Sequence, residues 1–534
     1  MTNSIGEIPN ADVLFVIGSN PTEAHPIIGL KIKEAVRNGA RLIVADPREI
    51  WLTRIAWLHL PLRPGTDLAL MNAMAHVILS EGLENKEFIA ARTEGFEDYR
   101  GVVENWPPER AAELCEVPAD DIRRAAEQYA RAGKASILYT LGITEHICGT
   151  FNVLGLANLA MLTGHIGKES SGINPLRGQN NVQGACDMGA LPDVYPGYQK
   201  VAVEENRRKF EQAWRVSLPS ASGMTITDML ESAAQGELKA MYVMGEDPVM
   251  SEAHAGFVRE ALGRLELLVV QDILPTETMK LAHVVLPASC FAEKDGTFTN
   301  TERRVQRVRK AVDPPGQARE DWRILVDLAN RFGYPMDYAS PREIWEELAG
   351  LSPAFAGITY ARIEHAGLQW PCPAPDHPGT KFLHAERFSR GLGKFHAVEY
   401  SPPYETPDSE YPWLLSTGRT LYHYNVGNMT RRVGGIARKS PECFVEINPA
   451  DLEKLGACDG AMLRVSTRRG SVAARALATQ KVKPGRIWMP FHFAEASANE
   501  LTPDAYDPIT RTAEYKVCAA RIEPDQPGSS VPRE

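Results

Sequence analysis

One unit occurs twice in this chain, its two copies 227 positions apart. The first copy is Asp12-Val-Leu-Phe-Val-Ile-Gly18-Ser-Asn20-Pro21, then a helical period, then Leu42-Ile-Val-Ala-Asp46. The second is Lys239-Ala-Met-Tyr-Val-Met-Gly245-Glu-Asp247-Pro248, a helical period, then Leu267-Leu-Val-Val-Gln-Asp272. Each reads strand, Gly-x-[Asn/Asp]-Pro turn, helix, strand, Asp. Gly18 and Asp46 are 28 positions apart, Gly245 and Asp272 27. Glycine lets the backbone turn tightly after a strand, and Asn/Asp-Pro starts the turn and frees a helix N-terminus. The acidic residue ends the next strand, where a carboxylate can accept from ribose hydroxyls or a purine edge. That is the logic of nucleotide binding at the carboxyl edge of a parallel sheet. Neither copy contains G-x-G-x-x-G, so an ordinary NAD site is not indicated. One copy alone would read as a plain βαβ turn. Two matched copies point to two nucleotide-like groups or one pseudo-symmetric ligand.

The surroundings of the repeat suit that reading. Asp12–Ile17, Arg41–Ala45 and Ala135–Leu141 read as strands; His25–Arg37, Asp67–Glu81 and Ala119–Ala132 read as helices. Short apolar runs alternating with helical periods give a parallel sheet with helices on both faces. Prolines punctuate residues 311–410, which read as a wrapping segment and linker around the helix Glu320–Phe332. Beyond Tyr411 come short strands at Phe444–Ile447, Ala461–Ser466, Ser471–Leu477 and Arg486–Pro490, with turns at Asp459-Gly460 and Arg469-Gly470. These suggest a compact β-barrel. The expected fold is α/β: two related doubly wound parallel-sheet nucleotide-binding domains, residues 1–176 and 177–300, a wrapping segment 301–407, and a C-terminal barrel 408–534. A length of 534 residues accommodates that number of domains.

Composition removes several classes of function. The formal charge of −10 argues against a nucleic-acid or anionic-membrane binder. The longest apolar stretch, Val153–Leu162, is far too short to span a bilayer. Met1-Thr-Asn-Ser4 carries no basic n-region, so the chain reads as cytoplasmic. The eight cysteines are scattered without any C-x-x-C pair. A zinc ribbon or ferredoxin-type cluster needs thiolates at close spacing, and this chain supplies none locally. Each cysteine reads as a small buried hydrophobe.

The most polar segment runs from Asn174 through Arg177, Gln179, Asn180, Asn181 and Gln183 to Gly189. It packs carboxamides, glycines and one guanidinium into a stretch without apolar period, and such a run builds no core. Its donors must meet solvent, backbone or a polar ligand. Arg177 could grip a small carboxylate bidentately; the alternative is a structural loop. Asp67 either caps a helix or offers a carboxylate to a guanine edge. The stripe Arg303, Arg304, Arg307, Arg309 and Lys310 reads first as a solvated face. His146, His165, His423 and His492 read as structural.

Several motifs together resemble one known family. They are Met1-Thr-Asn-Ser-Ile-Gly-Glu7, Gly18-Ser-Asn-Pro21, Asp46-Pro-Arg48, Pro64-Gly-Thr-Asp67 and Arg177-Gly-Gln-Asn-Asn-Val-Gln-Gly-Ala-Cys-Asp-Met-Gly189. Further on come Gly245-Glu-Asp-Pro248, the run Phe291–Gln306, Ser416-Thr-Gly-Arg419 and the run Phe491–Thr502. In these the chain resembles the large subunit of molybdenum- or tungsten-dependent formate dehydrogenases, within the molybdopterin oxidoreductases. The resemblance implies a metal held by two molybdopterin guanine dinucleotides, one on each α/β domain, with the barrel closing over the pterins. It implies that Gly18, Asn20, Asp46 and Asp67 hold one dinucleotide, and Gly245, Asp247 and Asp272 the other. Thr417, Arg419, Thr420, Asn499, Tyr515 and Lys516 would cover the pterins. Arg177 would bind formate, with Gln179 lining the site. The implied reaction is oxidation of formate to CO2, with electrons leaving to iron–sulfur or flavin partner subunits. Another enzyme of the superfamily, such as a nitrate reductase, and an inactive cofactor-binding fragment are the competing readings.

The family also carries an iron–sulfur cluster and a cysteine or selenocysteine metal ligand, both upstream of the position matched by Met1. The expectation is therefore that Met1 is an internal methionine, downstream of a selenocysteine codon read as a stop. The cluster, the protein ligand to the metal and any export signal would then lie before it.

Overall fold

Val13–Ile17 is apolar at every position, and it forms a strand buried along its whole length. Val13, Phe15 and Ile17 enter one core cluster; Leu14 and Val16 enter another on the opposite face. A strand covered on both faces needs such a run, because successive side chains alternate between them. The computed structural model describes residues 1–525. Around Val13–Ile17 lies a parallel five-stranded sheet in the order Leu58–Leu60, Arg41–Ala45, Val13–Ile17, Ala135–Tyr139, Gly172–Pro175. The helices Asp67–Ser80, Ala119–Ala130 and Gly149–Thr163 cover the first face, and Pro26–Arg37 the second. The chain thus steps outward from the central strand, returns, and steps outward again on the other side. That reversal, between Val13–Ile17 and Ala135–Tyr139, is the topological switch point of an open α/β sheet.

The second copy of the repeat builds a smaller parallel sheet in the order Val284–Pro287, Leu267–Asp272, Ala240–Met244. The repeat extends to its hydrogen bonds. Gly18 N–H donates to Ala45 O at 3.0 Å, and Gly245 N–H to Gln271 O at 2.8 Å. Entry to the third strand is alike too: Trp57 N–H donates to Leu42 O, and His283 N–H to Leu268 O.

The C-terminal strands close a six-stranded barrel in the order Trp413–Gly418, Arg486–Pro490, Phe444–Ile447, Ser471–Ala478, Met462–Ser466, Cys518–Pro524. Its core includes Leu415, Val445, Ile447, Leu463, Val465, Ile487 and Met489. The architecture expected from the sequence, parallel α/β sheets with a C-terminal barrel, is the architecture observed.

Two compact units emerge. One comprises Met1–Leu176, Pro248–Val258 and the chain from Phe382 onward; the other comprises Arg177–Asp247 and Arg259–Lys381. Part of the segment expected to wrap has its own architecture. The helix Pro341–Leu351 and the sheet of Gly296–Thr299, Arg304–Val308 and Leu368–Gln369 enclose a small core around Trp345, Phe355 and Ile363. The basic stripe is a solvated face only at its end, where Arg309 and Lys310 are exposed. Arg303 is buried and donates to the Trp370 and Thr380 carbonyls, Arg304 pairs with Glu302, and Arg307 and Arg309 share Glu364. Cys458 is exposed and Cys186 and Cys290 are half-buried; the other five cysteines are buried as expected.

Candidate active site

At the switch point two glycines touch. Gly18 has a φ of +54°, and a Cβ there would lie 2.7 Å from the Gly142 carbonyl carbon. A Cβ on Gly142 would lie 2.6 Å from Gly18 Cα. No other residue type allows this approach. Gly142 N–H and Thr140 Oγ1 both donate to Gly18 O, at 3.1 and 2.8 Å, locking the two turns together. Above them opens a cavity. Its floor is Gly18, Ser19, Asn20 and Thr140–Gly142; its sides include Asp46, Arg48, Asp67 and His146; Thr417, Arg419, Trp488 and Lys516 of the barrel region close it.

The cavity holds both charge signs. Asp46 Oδ1 accepts from Arg48 N–H at 2.9 Å, yet burial outweighs this bond and pushes the Asp46 pKa up to about 7. Arg48 pairs with Glu446 at 2.8 Å and lies 3.8 Å from the centre of the Trp488 ring. Asp67 is not the helix cap: Thr66 holds that position and Asp67 is the first helical residue. Burial raises its pKa to about 6, opposed by the field of His146. Lys516 pairs with Glu145 at 2.7 Å and donates to Thr417 O at 3.1 Å, while Thr417 Oγ1 donates to Tyr515 O at 2.8 Å.

Buried polar atoms without a protein partner here include Ser19 Oγ, Asn20 Nδ2, Arg419 Nε and Thr420 Oγ1. Thr420 faces a neighbouring cavity that shares Arg48 and Trp488 with the first. Its N–H is held at 2.9 Å by His492 Nε2, a ring that burial keeps neutral with a pKa near 3. Buried donors normally find acceptors, so this cluster marks a surface made for a polar ligand.

Other expected site residues lie elsewhere. Asn499 Nδ2 donates to the Met250 and Ser251 carbonyls, and Tyr515 Oη to Ser251 O at 3.1 Å. Both thus clamp the short Pro248–Ser251 helix and do not line the cavity. In the other unit Gly245 turns with a φ of +66°. Asp247 is buried and accepts from Glu277 N–H, Thr278 N–H and Thr278 Oγ1. Asp272 Oδ1 accepts from Ile273 and Leu274 N–H, the same local turn that Asp46 makes with Arg48. Arg177 is exposed; its N–H donates to Thr301 Oγ1 at 3.0 Å and its guanidinium lies 3.7 Å from Cys186 Sγ. Gln179 is half-buried in the same segment. Behind them Asp187, fully buried, accepts from Gln183, Tyr198 and Trp370.

Arg48, Gly142, His146, Trp488 and His492 were not assigned to the site from sequence. Arg48 sits inside the quoted Asp-Pro-Arg motif, and Gly142 follows a strand as Gly18 does. The other three carry no local signal. Among the described residues no group of three His, Cys, Asp or Glu side chains could hold a metal ion.

Residues 1–331 match the molybdopterin oxidoreductase family, and residues 413–519 match the molybdopterin dinucleotide binding domain. The chain is 48% identical over 527 residues to the F420-dependent formate dehydrogenase subunit alpha of Methanocaldococcus jannaschii, covering 98% of this chain and 78% of that protein. It is 45% identical over 531 residues to formate dehydrogenase H of Escherichia coli, covering 98% and 74%. Acetylene hydratase from Pelobacter acetylenicus shares the fold, with a TM-score of 0.77 at 20% identity over 98% of this chain and 79% of that one. A switch-point cavity under a dinucleotide-binding barrel, repeated strand-turn-helix units and matches of this extent lead to one assignment: the chain belongs to the molybdopterin oxidoreductases.

Proposed function

We propose that this chain is the large subunit of a formate dehydrogenase, working at a molybdenum or tungsten centre held by two molybdopterin guanine dinucleotides. The cavity in the first unit supports this most directly. Its unpartnered Ser19, Asn20 and Arg419 donors and the glycine cradle of Gly18 and Gly142 suit a phosphate-bearing ligand. The Asp46 and Asp67 carboxylates suit a guanine edge, whose N1 and N2 groups donate. The residues therefore fit the group. Asn20, Ser19, Arg419 and Lys516 would hold phosphate and pterin oxygens; Asp46 and Asp67 would read the base. Thr417 and Thr420 would cover the pterin, while Asn499 and Tyr515 act through the helix they clamp. In the second unit Gly245, Asp247 and Asp272 would shape the equivalent turn for the second dinucleotide.

When bound, the metal group would supply a two-electron acceptor. Formate oxidation breaks one C–H bond and yields CO2, one proton and two electrons. Arg177 would orient the formate carboxylate through paired N–H donors, with Gln179 beside it. Asp187 fixes the helix Val182–Asp187 that follows this loop. Electrons would pass to iron–sulfur or flavin partner subunits.

A charge-assisted bidentate contact contributes about 1.5–3 kcal/mol, so Arg177→Ala should raise KM for formate roughly 10–100-fold in the cofactor-loaded enzyme. Dye reduction by formate, with nitrate as the competing substrate, measures this. An unchanged KM removes Arg177 from the site, and turnover of nitrate without formate overturns the substrate assignment.

A further inference from the structure

His146 and Glu514 face each other at the edge of the cavity in an arrangement that requires a proton. His146 Nε2 lies 2.9 Å from Gly142 O. A carbonyl only accepts, so Nε2 carries hydrogen and the neutral ring would present a bare lone pair at Nδ1. Nδ1 lies 3.5 Å from Glu514 Oε1, with side chains 2% and 0% exposed. Neither atom has another partner. Glu514 Oε2 is already satisfied by Tyr404 N–H at 3.0 Å. A lone pair facing a carboxylate oxygen in a dry interior is repulsive, whereas a proton between them makes a charge-assisted contact.

We propose that His146 and Glu514 share one buried proton and that it makes His146 a positioning residue for the dinucleotide pocket. The proposal rests on the reading of that cavity as a guanine-dinucleotide site. Through Nε2 the ring holds Gly142, whose N–H holds Gly18 O. Through Glu514 it holds the segment in which Tyr515 N–H donates to Glu145 O at 3.2 Å and Lys516 pairs with Glu145. The proton thus ties the cavity's glycine floor to its lysine wall. The charged groups around the ring favour it. Asp67, at the start of its helix, and Glu514 are both acidic and both raise the His146 pKa against burial, for a net upward shift. Cys148 is held up at about 12 and stays neutral, and Lys516 is matched by Glu145. The imidazolium in turn keeps Asp67 more ionised than its burial alone would allow.

The test uses the full chain labelled with 15N-histidine. At about pH 7.5 the His146 ring should have both nitrogens protonated, since the facing Glu514 oxygen and the nearby Asp67 hold its pKa above the ordinary histidine value against burial. In Glu514→Gln the amide can donate to a neutral Nδ1, so that ring should lose its second proton while the tie survives. Hydrogen exchange at the Gly142 and Tyr515 amides should accelerate roughly tenfold or more in His146→Leu and stay near wild type in Glu514→Gln. GDP, as a probe ligand, should bind His146→Leu roughly tenfold more weakly. A wild-type ring that is neutral at about pH 7.5 overturns the proposal, as does unchanged exchange in His146→Leu. Should that variant not fold, the wild type and Glu514→Gln decide by ring protonation alone. If GDP fails to bind wild type while the ring and exchange results hold, the guanine reading falls and the shared proton stands.

Discussion

At the scale of single residues, the cavity concentrates groups whose conformation or charge has a cost in the empty protein. Asp46 shows the sign clearly. Its folded pKa of about 7 exceeds the ordinary 3.8, so the folded state binds the extra proton between those values. Stability from this group is full at low pH and is lost as pH rises toward 7. Asp46→Asn keeps an acceptor for Arg48 N–H and removes the charge. It should leave stability unchanged near pH 4 and raise it by about 2–4 kcal/mol above pH 7, measured by urea unfolding across pH. Equal curves for the two proteins would show that Asp46 is solvated after all. The turn glycines give a second contrast. Gly18→Ala must push a methyl into Gly142, whereas Gly245 meets nothing within 4 Å and is asked only for a positive φ. Gly245→Ala should cost about 1 kcal/mol and Gly18→Ala several times that, because backbone cannot yield as a flexible side chain does. Comparable midpoints in denaturant would refute the cradle.

At the scale of elements, the helix Gly149–Thr163 depends on a residue more than three hundred positions away. Asp507 accepts from Thr150 N–H at 2.9 Å and Thr150 Oγ1 at 3.0 Å, and from Ile509 and Thr510 N–H. These bonds hold its carboxyl below the ordinary 3.8, so this stability is present above pH 4 and is lost as pH falls further. Asp507→Ala leaves the Thr150 N–H at the helix start without its acceptor and should cost about 1–2 kcal/mol at neutral pH. The deficit should shrink in acid, and a deficit independent of pH would point to packing instead. No local pattern announces Asp507, and this marks where sequence reading stops. Strands and helices set by alternation or helical period were legible: Arg41–Ala45, Phe444–Ile447 and Arg486–Pro490 lie where the pattern put them. The strand expected over 135–141 ends at Tyr139, because Leu141 and Gly142 begin the turn that meets Gly18. The helix expected from His25 starts at Pro26, after a separate turn at Pro21–Ala24. The glycine and acid of each turn were legible because they repeat. His146, Trp488 and His492 were not, since their role exists only once distant segments meet.

At the scale of the whole first unit, the cavity is walled by two substructures that only folding brings together. Lys516 to Glu145, Arg48 to Glu446 and Arg486 to Glu116 join the α/β layer to the barrel region. A ligand that needs both walls binds the folded state alone, so its binding free energy becomes stability, about 2.7 kcal/mol at a hundred times Kd. The same ligand must meet an ionised Asp46 if that carboxylate accepts from guanine. Below the Asp46 pKa of about 7, each unit of pH then weakens binding about tenfold, because a proton must leave first. GDP should therefore raise the unfolding temperature more at pH 8 than at pH 6, each measured against the ligand-free chain at the same pH. Asp46→Asn should flatten this difference, since it has no proton to lose. ADP should give a smaller shift at both values, because adenine lacks the N1 and N2 donors that would pair with a carboxylate. Equal GDP shifts at the two pH values would detach Asp46 from base recognition, and equal shifts with ADP would reduce the cavity to a phosphate site.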